Sequence, residues 1–565
     1  MADALLAGVS GMKAHQKMID IAGNNLANVN TTAYKGSRVR FADLFSETIK
    51  DALQPSETMG GSNPQQIGSG VKLASVDKDM SQGSLLSTGQ PLDMAIEGPG
   101  YFVLNNGQSD VYTRVGAMAV DSEFYMVDPG TGYRVQRIGS EGVDEGFQDS
   151  TSNSIRVPYD QALAAQATTI IHYNGNLSAD QLRQTTNLLR SELEYTTSTG
   201  AGASTDTLLS NVTEGGSTLV DGDVILLNGV RRDGSAVTDE EFEVFEDDGM
   251  GGRRTKTMGQ LLDFLTDTFA NPADPTDLWS NATIGNGEIL LRDLEAGYSQ
   301  TDLTLAMKAG STGALVLPKY FKMEEVGAEA ARKTNIEIFD SQGISHTLSA
   351  SFVRTDDTNK WDLVISSITG DVDVVTRRIN GINFLSDGSY GALDDPTADH
   401  FELKFAHDPD TTASIGVSFG TVGEMDGVSQ VGGASSAAPS RQDGYASGWL
   451  SSLSVSREGV LVGVFSNGVR RDIAAVKLAT FQNPGALVAL GGNYYAASSN
   501  SGEPIPTRGL SGGAGAVHGG VLEKSNVDVA NEFVSLIQAQ NGFQANARTI
   551  RVSNELLREL TNLIQ

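Results

Sequence analysis

Large apolar residues recur every seven positions along the last part of the chain. Phe533 stands at a companion position of this repeat, whose main positions are Leu536, Phe543, Ile550, Leu557 and Ile564. Such a repeat is typical of a helix that buries one seam against a partner in a coiled coil. The C-terminal end of the chain is therefore predicted to be a long helix.

The start of this helix is predicted from a pair of polar residues. Ser525 is followed three residues later by Asp528, a spacing that resembles a capping box. We therefore expect an unbroken helix over residues 525–565. At 1.5 Å per residue it would be about 60 Å long, too long for a small domain to cover. The helix needs a partner.

A second heptad repeat lies at the other end of the chain. It is formed by Leu5, Met12, Ile19 and Leu26. The two helices form a hairpin within one chain, or their seams pack against neighbouring copies. Each buried seam residue would contribute about 1.5–3 kcal/mol, which is enough in sum to drive association. The periodicity leaves both arrangements open.

Between the helices the pattern changes to short alternating strands separated by glycine-rich turns. Strands are predicted at residues 70–76, 92–96 and 101–104, and a short helix at 41–45. Further on, residues 334–348 predict a hairpin around a Ser-Gln-Gly turn. A third strand is expected at 361–365.

A further compact domain is predicted after the low-complexity segment at residues 197–205. Its pattern reads strand, strand, helix, strand, strand, at residues 223–227, 241–245, 258–265, 288–291 and 303–307. This order favours one α+β domain. The predicted fold class is therefore multidomain, with mainly β central domains, long coiled-coil-like helical termini and one inserted α+β domain.

Composition narrows the possible functions. The 565 residues carry a formal charge of −30, and no run of Lys and Arg could neutralise phosphates, which argues against nucleic acid. The chain contains no cysteine, so disulfides and thiolate metal sites are excluded. No stretch is long and apolar enough for membrane insertion, and the first residues lack the pattern of a secretory signal peptide.

Both ends of the chain carry motifs that resemble one family. At the N-terminal end these are the asparagine-rich segment 24–35, with Asn24, Asn25 and Asn28, and the segments 81–96 and 100–102. At the C-terminal end they are residues 522–528, with Asn526 and Asp528, and residues 540–547, with Gln540 and Asn546. These segments resemble the shared ends of bacterial flagellar rod and hook subunits. Residues 334–365 are similar to the β domain of hook proteins, which rod subunits lack.

The resemblance implies a domain plan. Residues 1–45 and 525–565 would form the inner core, and residues 46–165 with 440–524 a β-rich core domain around it. Residues 166–200 with 326–439 would form the hook-type β domain. Residues 201–325 have no counterpart in shorter hook subunits and would be the inserted domain on the outside.

The resemblance also implies a function. It predicts a homopolymer that forms the flexible joint between the flagellar rod and filament, extracellular after type III export. Expected partners are rod, hook-cap and hook-filament junction proteins and the export apparatus. The self-association residues would be the heptad positions of both helices. A distal rod or hook-associated protein is the alternative, and the inserted domain could add a surface-adhesive role.

No credible active site, cofactor site or metal site is found in the sequence. The Gly509-Leu510-Ser511-Gly512-Gly513 segment matches a nucleophile elbow in spacing, but lacks the preceding strand and following helix that the motif requires. The acidic run at 239–248 is interleaved with apolar residues and has no calcium-loop spacing. The six histidines show no paired spacing. The chain is therefore predicted not to be an enzyme.

Overall fold

The computed structural model describes residues 2–55, 59–180, 183–212, 218–247, 249 and 252–563. These residues are mainly β, with three α-helices, two of which lie at the ends of the chain. The chain divides into two compact units. The first unit comprises Met1–Leu163 and Gly448–Gln565, and the second comprises Ala164–Ser447.

The N-terminal part of the first unit begins with helix α1, Ala2–Ala27. Its strands are β1 Ser37–Asp43, β2 Ser46–Lys50, β3 Gln65–Gly68, β4 Val71–Lys78, β5 Leu85–Ser87, β6 Met94–Glu97, β7 Tyr101–Asn105, β8 Asp110–Thr113, β9 Ala119–Val120, β10 Met126–Val127, β11 Arg134–Val135 and β12 Arg137–Ile138. Strand β1 pairs with β4, and β2 with β3, as two antiparallel ribbons.

The described residues of the second unit form helix α2, Met258–Thr268, and twenty strands. These are β13 Ile170–Ser178, β14 Leu188–Ser191, β15 Val224–Val230, β16 Ala236–Glu243, β17 Phe245–Asp247, β18 Arg253–Thr255, β19 Ser280–Gly285, β20 Glu288–Asp293, β21 Asp302–Met307, β22 Phe321–Glu325, β23 Ala331–Phe339, β24 Ser345–Arg354, β25 Lys360–Ile368, β26 Val372–Thr376, β27 Arg378–Phe384, β28 Tyr390–Leu393, β29 His400–Phe405, β30 Asp408–Ser418, β31 Val428–Val431 and β32 Ala438–Gln442.

The chain then returns to the first unit and ends in helix α3, Val529–Leu563. The intervening strands are β33 Leu450–Val455, β34 Val460–Phe465, β35 Arg470–Val476, β36 Leu478–Thr480, β37 Val488–Gly491, β38 Tyr494–Ala496, β39 Ile505–Thr507, β40 Ala516–Gly519 and β41 Val521–Glu523. They complete the sheets of the N-terminal part, because β36 and β38 pair with β7 and β8, β40 with β6, and β41 with β5.

An apolar core of the second unit lies between two sheets. The first sheet has the order β23-β24-β25-β27-β28 and includes the hairpin and third strand that the sequence predicts, which are thereby confirmed. The other has the order β26-β29-β30-β13-β31, with β32 also paired to β13. Trp361, Phe352 and Phe401 are fully buried among the residues of this core.

The second core joins α2 to the sheets β16-β15-β21 and β19-β20-β14-β22. Thr257 caps α2 in a capping box with Gln260, and the helix buries Leu261 and Leu265. Strand β14 lies within the range 166–200 assigned to the hook-type β domain, yet it pairs with β20 and β22. This sheet therefore extends across the predicted boundary at residue 201.

Two local predictions are wrong. Residues 41–45 are not helical, because Phe41 lies in β1 opposite Leu73 of β4. Helix α3 does not begin at a Ser525–Asp528 capping box but at Val529. Asp528 itself caps the helix, since its Oδ1 accepts the N–H of Ala530 at 2.8 Å.

The buried tryptophan of the first of these cores offers a test of the fold. Trp361 is 0% exposed, whereas Trp449 is 58% exposed. We expect Trp361→Ala to lower the free energy of unfolding by about 3–5 kcal/mol, because it leaves a large cavity. Trp449→Ala is the matched control and should change it by less than about 0.5 kcal/mol. Urea unfolding followed by circular dichroism measures both, and equal effects would contradict this placement of Trp361.

Candidate assembly site

The two terminal helices pack against each other within the first unit through small residues. A Cβ atom on Gly8 would lie 3.0 Å from Ile550 Cγ1, and one on Gly11 2.8 Å from the Asn546 side chain. From the other helix, a Cβ on Gly542 would lie 2.4 Å from the His15 ring. Only glycine allows this approach without displacing the opposite side chain.

The predicted seam residues lie around this contact rather than at its centre. The fully packed positions are small or polar, namely Ala14, Ala22, Asn25, Ala539 and Ser553. Half-buried positions are Leu5, Met12, Ile19, Leu26, Leu536, Phe543 and Ile550. Phe533 and Leu557 are 49% and 36% exposed, and Ile564 lies outside the described residues. Large apolar surface thus remains on the paired helices.

A buried ion pair ties the segment after α1 to the segment before α3. Lys35 Nζ donates to Glu523 Oε1 at 2.7 Å, and both side chains are at most 1% exposed. Lys35 Nζ also donates to the Ser81 carbonyl oxygen at 2.6 Å, and the backbone N–H of Gly83 donates to Glu523 Oε1 at 2.8 Å. These hydrogen bonds support the pair through Glu523 Oε1, whereas Oε2 has no hydrogen-bond partner among the described residues.

The electrostatics of this cluster follow from its burial. Burial lowers the pKa of the Lys35 ammonium group, and the adjacent Glu523 carboxylate opposes the shift. Arg114 Nη1 lies 3.6 Å from Glu523 Oε2 and adds a second positive charge. A Cβ atom on Gly83 would lie 2.0 Å from the Lys524 carbonyl oxygen, so the backbone can close over the carboxylate only with glycine at this position.

The asparagines of the resembling motifs form the layer next to this ion pair. Asn25 Nδ2 donates to the Ser37 carbonyl oxygen and to Glu532 Oε1, both at 2.8 Å, so it joins α1, β1 and α3. Asn526 Oδ1 accepts the N–H of Gly36 at 2.9 Å, and its Nδ2 donates to the Asp79 carbonyl oxygen at 2.8 Å. These two side chains lock both ends of the chain together.

The other motif residues lie away from the ion pair, either in the helix contact or at the surface. Asn28 Nδ2 donates to the Asn24 carbonyl oxygen at 2.9 Å, which satisfies an acceptor at the end of α1. Asp528 caps α3 as described, and Asn546 packs at Gly11. Gln540 is exposed on α3. The motif therefore contains both packed and surface positions.

Sequence reasoning missed the charged residues at the centre of the site. Lys35 and Glu523 each lie inside a quoted motif, but neither was singled out. The available signal was that the N-terminal motif 24–35 holds a single basic residue, Lys35, and that the C-terminal motif 522–528 holds two acidic ones, Glu523 and Asp528. Arg114 carried no comparable signal, because it lies outside both motifs.

The strands next to the helices expose further apolar side chains. Every residue of β2 and of β3 is exposed. Phe45 is 88% exposed, and the other exposed large apolar residues of this region are Phe41, Ile49, Leu53, Met59, Ile67, Leu73 and Val76. We call the strands β1 to β4 with the described parts of their connections, residues 37–55 and 59–78, the ribbon segment.

Four family models match the chain in sequence order. The model for flagella basal body rod protein matches residues 5–35, and the flagellar hook protein FlgE/F/G D1 domain matches 95–179. The flagellar basal body protein FlaE D2 domain matches 312–445, and the flagellar basal body rod FlgEFG protein C-terminal model matches 518–563. These matches define the class as flagellar rod and hook proteins.

Relatives over the full length specify the family within this class. The flagellar hook protein FlgE of Treponema pallidum (strain Nichols) is 30% identical over 568 residues, covering 100% of both chains. That of Borreliella burgdorferi is 28% identical over 568 residues, again covering 100% of both. The rod protein FlgG of Bacillus subtilis is 43% identical, but over only 24% of this chain and 51% of its own.

The chain belongs to the family of flagellar hook proteins, FlgE. It is a structural subunit of the flagellar hook and not an enzyme, and the rod or hook-associated alternative is not favoured. Among the described residues, no helix is long and apolar enough to cross a membrane.

Removing one partner of the buried ion pair tests its contribution to the free energy of unfolding. Glu523→Ala leaves the Lys35 ammonium buried without its carboxylate, so we expect the free energy of unfolding to fall by about 3–5 kcal/mol. The control is Asp20→Ala, whose partner Lys17 lies 3.2 Å away with both side chains more than half exposed. Loss of that pair should cost at most about 1 kcal/mol.

Urea unfolding followed by circular dichroism measures both variants. The double variant Lys35→Met with Glu523→Leu removes both charges and should recover part of the loss. A Glu523→Ala protein as stable as the Asp20→Ala control would refute a structural role for the pair.

Proposed function

We propose that copies of this chain polymerise into the hook through the terminal helices and the ribbon segment. The observation that carries the proposal is the contrast within the first unit between a closed polar cluster and a large exposed apolar surface. The exposed large apolar residues of the two helices are Leu6, Val9, Val529, Phe533, Val534, Ile537, Val552, Leu556 and Leu557. Extensive apolar exposure is typical of an interaction surface.

A groove beside the paired helices supports the same proposal. It has a volume of about 460 Å³ and lies between α1, β1 and α3. Its wall combines the apolar residues Met18, Ile21 and Phe41 with the polar residues His15 and Glu532. Burying apolar side chains of a neighbouring copy there would contribute about 25 cal/mol per Å² removed from water.

The coiled-coil prediction takes a specific form in this proposal. Within one chain, α1 and α3 meet through glycine and alanine. The larger heptad residues then pack between copies, with Phe533 and Leu557 among them. Both arrangements left open by the periodicity would thus coexist, one inside the subunit and one between subunits.

The proposal also includes the assembly partners and the export route that the resemblance to hook proteins implies. The ends of the polymer would meet rod proteins on one side and hook-filament junction proteins on the other, with a hook cap during growth. The subunit would leave the cell through the type III export apparatus. The acidic second unit would be displayed outside, where weak contacts permit bending.

Substitution at exposed heptad positions tests the assembly proposal. Phe533→Ser with Leu557→Ser should raise the critical concentration for polymerisation at least tenfold, because each lost contact removes about 1.5–3 kcal/mol and 1.4 kcal/mol is a factor of ten. The matched control, Gln544→Ser with Asn554→Ser, changes exposed polar residues of the same helix. Sedimentation measures the polymer.

Amide hydrogen exchange provides the second arm of this experiment. Residues 5–30 and 529–559 should gain protection on polymerisation, more than residues 360–405 of the second unit. Unchanged exchange at the helices, or equal polymerisation of both double variants, would rule the helices out as the interface.

The inserted domain is a separate part of the proposal, with boundaries at residues 185 and 328. The backbone N–H of Thr185 donates to the Ala328 carbonyl oxygen at 3.0 Å, so the chain enters and leaves this body at adjacent points. A cleft of about 500 Å³ favours a surface-adhesive role as second candidate. It is lined by Trp279, Tyr298 and Arg232 of this domain and by Glu329 and Asp356 just beyond its boundary. Half-buried aromatic rings beside charged groups are common in ligand sites.

Deletion of residues 186–327 tests whether this domain is required for assembly or serves in surface adhesion. A Gly-Ser linker would join Thr185 to Ala328, and Val353 and Val364 would be changed to Thr because their side chains pack in the core that is removed. We expect cells with this chain to swim but to attach less to surfaces. A non-motile strain with no polymer would show that the domain is required for assembly, and unchanged attachment would exclude the adhesive role.

A further inference from the structure

A serine, a histidine and a buried aspartate meet at the turn between β23 and β24 in the second unit. Ser341 Oγ lies 3.0 Å from His407 Nε2, and His407 Nδ1 lies 3.4 Å from Asp340 Oδ2. This is the order of nucleophile, base and orienting carboxylate found in activated serines. None of these residues takes part in the assembly surface described above.

The turn fixes the aspartate rigidly. Asp340 Oδ1 accepts the N–H groups of Gln342 at 2.9 Å and of Ile344 at 2.8 Å, and the side chain is 1% exposed. Its Oδ2 lies within ion-pair distance of His407 Nδ1, but its hydrogen bond is with His346. The same oxygen lies 3.4 Å from His346 Nε2, whose ring is held by a contact between Nδ1 and the Thr369 carbonyl oxygen at 2.8 Å.

The contacts of His407 fit one tautomer. A proton on Nδ1 faces Asp340 Oδ2 at 3.4 Å and leaves the lone pair of Nε2 for the Ser341 hydroxyl. The lone pair of Nε2 then accepts the hydroxyl proton of Ser341. The ring also stacks on Phe405, with centroids 5.9 Å apart and planes at 21°, which limits its rotation. The base is thus oriented before any reagent arrives.

The reacting groups are accessible. Ser341 is exposed, and the His407 side chain is 22% exposed, whereas Asp340 and His346 lie beneath them. An electrophile can reach the serine oxygen without opening the fold. The site therefore differs from a buried structural hydrogen-bond network, which offers no such access.

We propose that Ser341 is an activated nucleophile and a site of covalent acylation by activated esters or thioesters. Oγ attacks the acyl carbon and forms a new ester bond while the bond to the leaving group breaks. His407 Nε2 takes the hydroxyl proton and transfers it to the departing alkoxide or thiolate. No oxidant or reductant is needed. The product is a stoichiometrically modified hook subunit, not a turnover enzyme.

The experiment uses the full chain and p-nitrophenyl acetate, with peptide mass spectrometry to measure acetylation at each serine. Ser341 should react at least about 100-fold faster than Ser414, an exposed serine of the same unit, because general-base assistance is worth about 10²–10⁴ in rate. His407→Asn removes the base and should bring Ser341 down to the rate of Ser414. Ser414→Ala should leave the Ser341 rate unchanged.

Either of two results overturns the proposal. One is a Ser341 rate within tenfold of that of Ser414, and the other is an equal Ser341 rate in the native and His407→Asn proteins. Circular dichroism confirms that the variant is folded. His407→Gln is a second variant without the base, and it keeps the test decisive if His407→Asn unfolds.

Discussion

The buried ion pair between Lys35 and Glu523 is the contact on which the first unit depends. It joins residues 488 positions apart at the points where the chain leaves α1 and approaches α3. Buried charges are tolerated only when they are paired and hydrogen-bonded. Here Ser81 and Gly83 add hydrogen bonds to the pair, and Arg114 Nη1 lies 3.6 Å from the remaining carboxylate oxygen, Oε2. Any other register of the two ends would leave a charge unpaired, so the pair acts against mispaired arrangements.

The first unit is also closed at the point where its chain is interrupted by the second unit. The backbone N–H of Leu163 donates to the Gly448 carbonyl oxygen at 2.8 Å, so the first unit continues almost without a gap where the second unit leaves and returns. Lengthening such an excursion costs little, because loop-closure entropy grows only with the logarithm of length. Within the second unit, the inserted domain likewise begins and ends at neighbouring residues, Thr185 and Ala328.

The sequence predicted the elements whose signals are local and periodic, and missed those that depend on distant partners. Heptads indicated both terminal helices, and alternation indicated the β23–β24 hairpin. The local pattern at Phe41 predicts a helix, but pairing with the distant residue Leu73 places Phe41 in strand β1. Asp528, not Ser525, caps α3, because the helix starts where a side-chain oxygen accepts a free backbone N–H, and spacing in the sequence does not show this. His407 showed no paired spacing, since the fold alone brings it to Asp340.

In the packing of α1 and α3, the residues that fix the geometry of the helix pair differ from those that can supply stabilising apolar burial. The heptad pattern alone assigns both roles to the same seam. Glycine and alanine at the in-chain contact allow close approach but bury little apolar area, so this contact contributes geometry more than free energy. The larger residues, such as Phe533 and Leu557, then remain on the outer faces of the pair. Because the apolar area left to bury lies there, most of the free energy from these helices becomes available only when another surface covers them. A subunit built this way defines its shape alone but reaches its full stability only in contact with a partner.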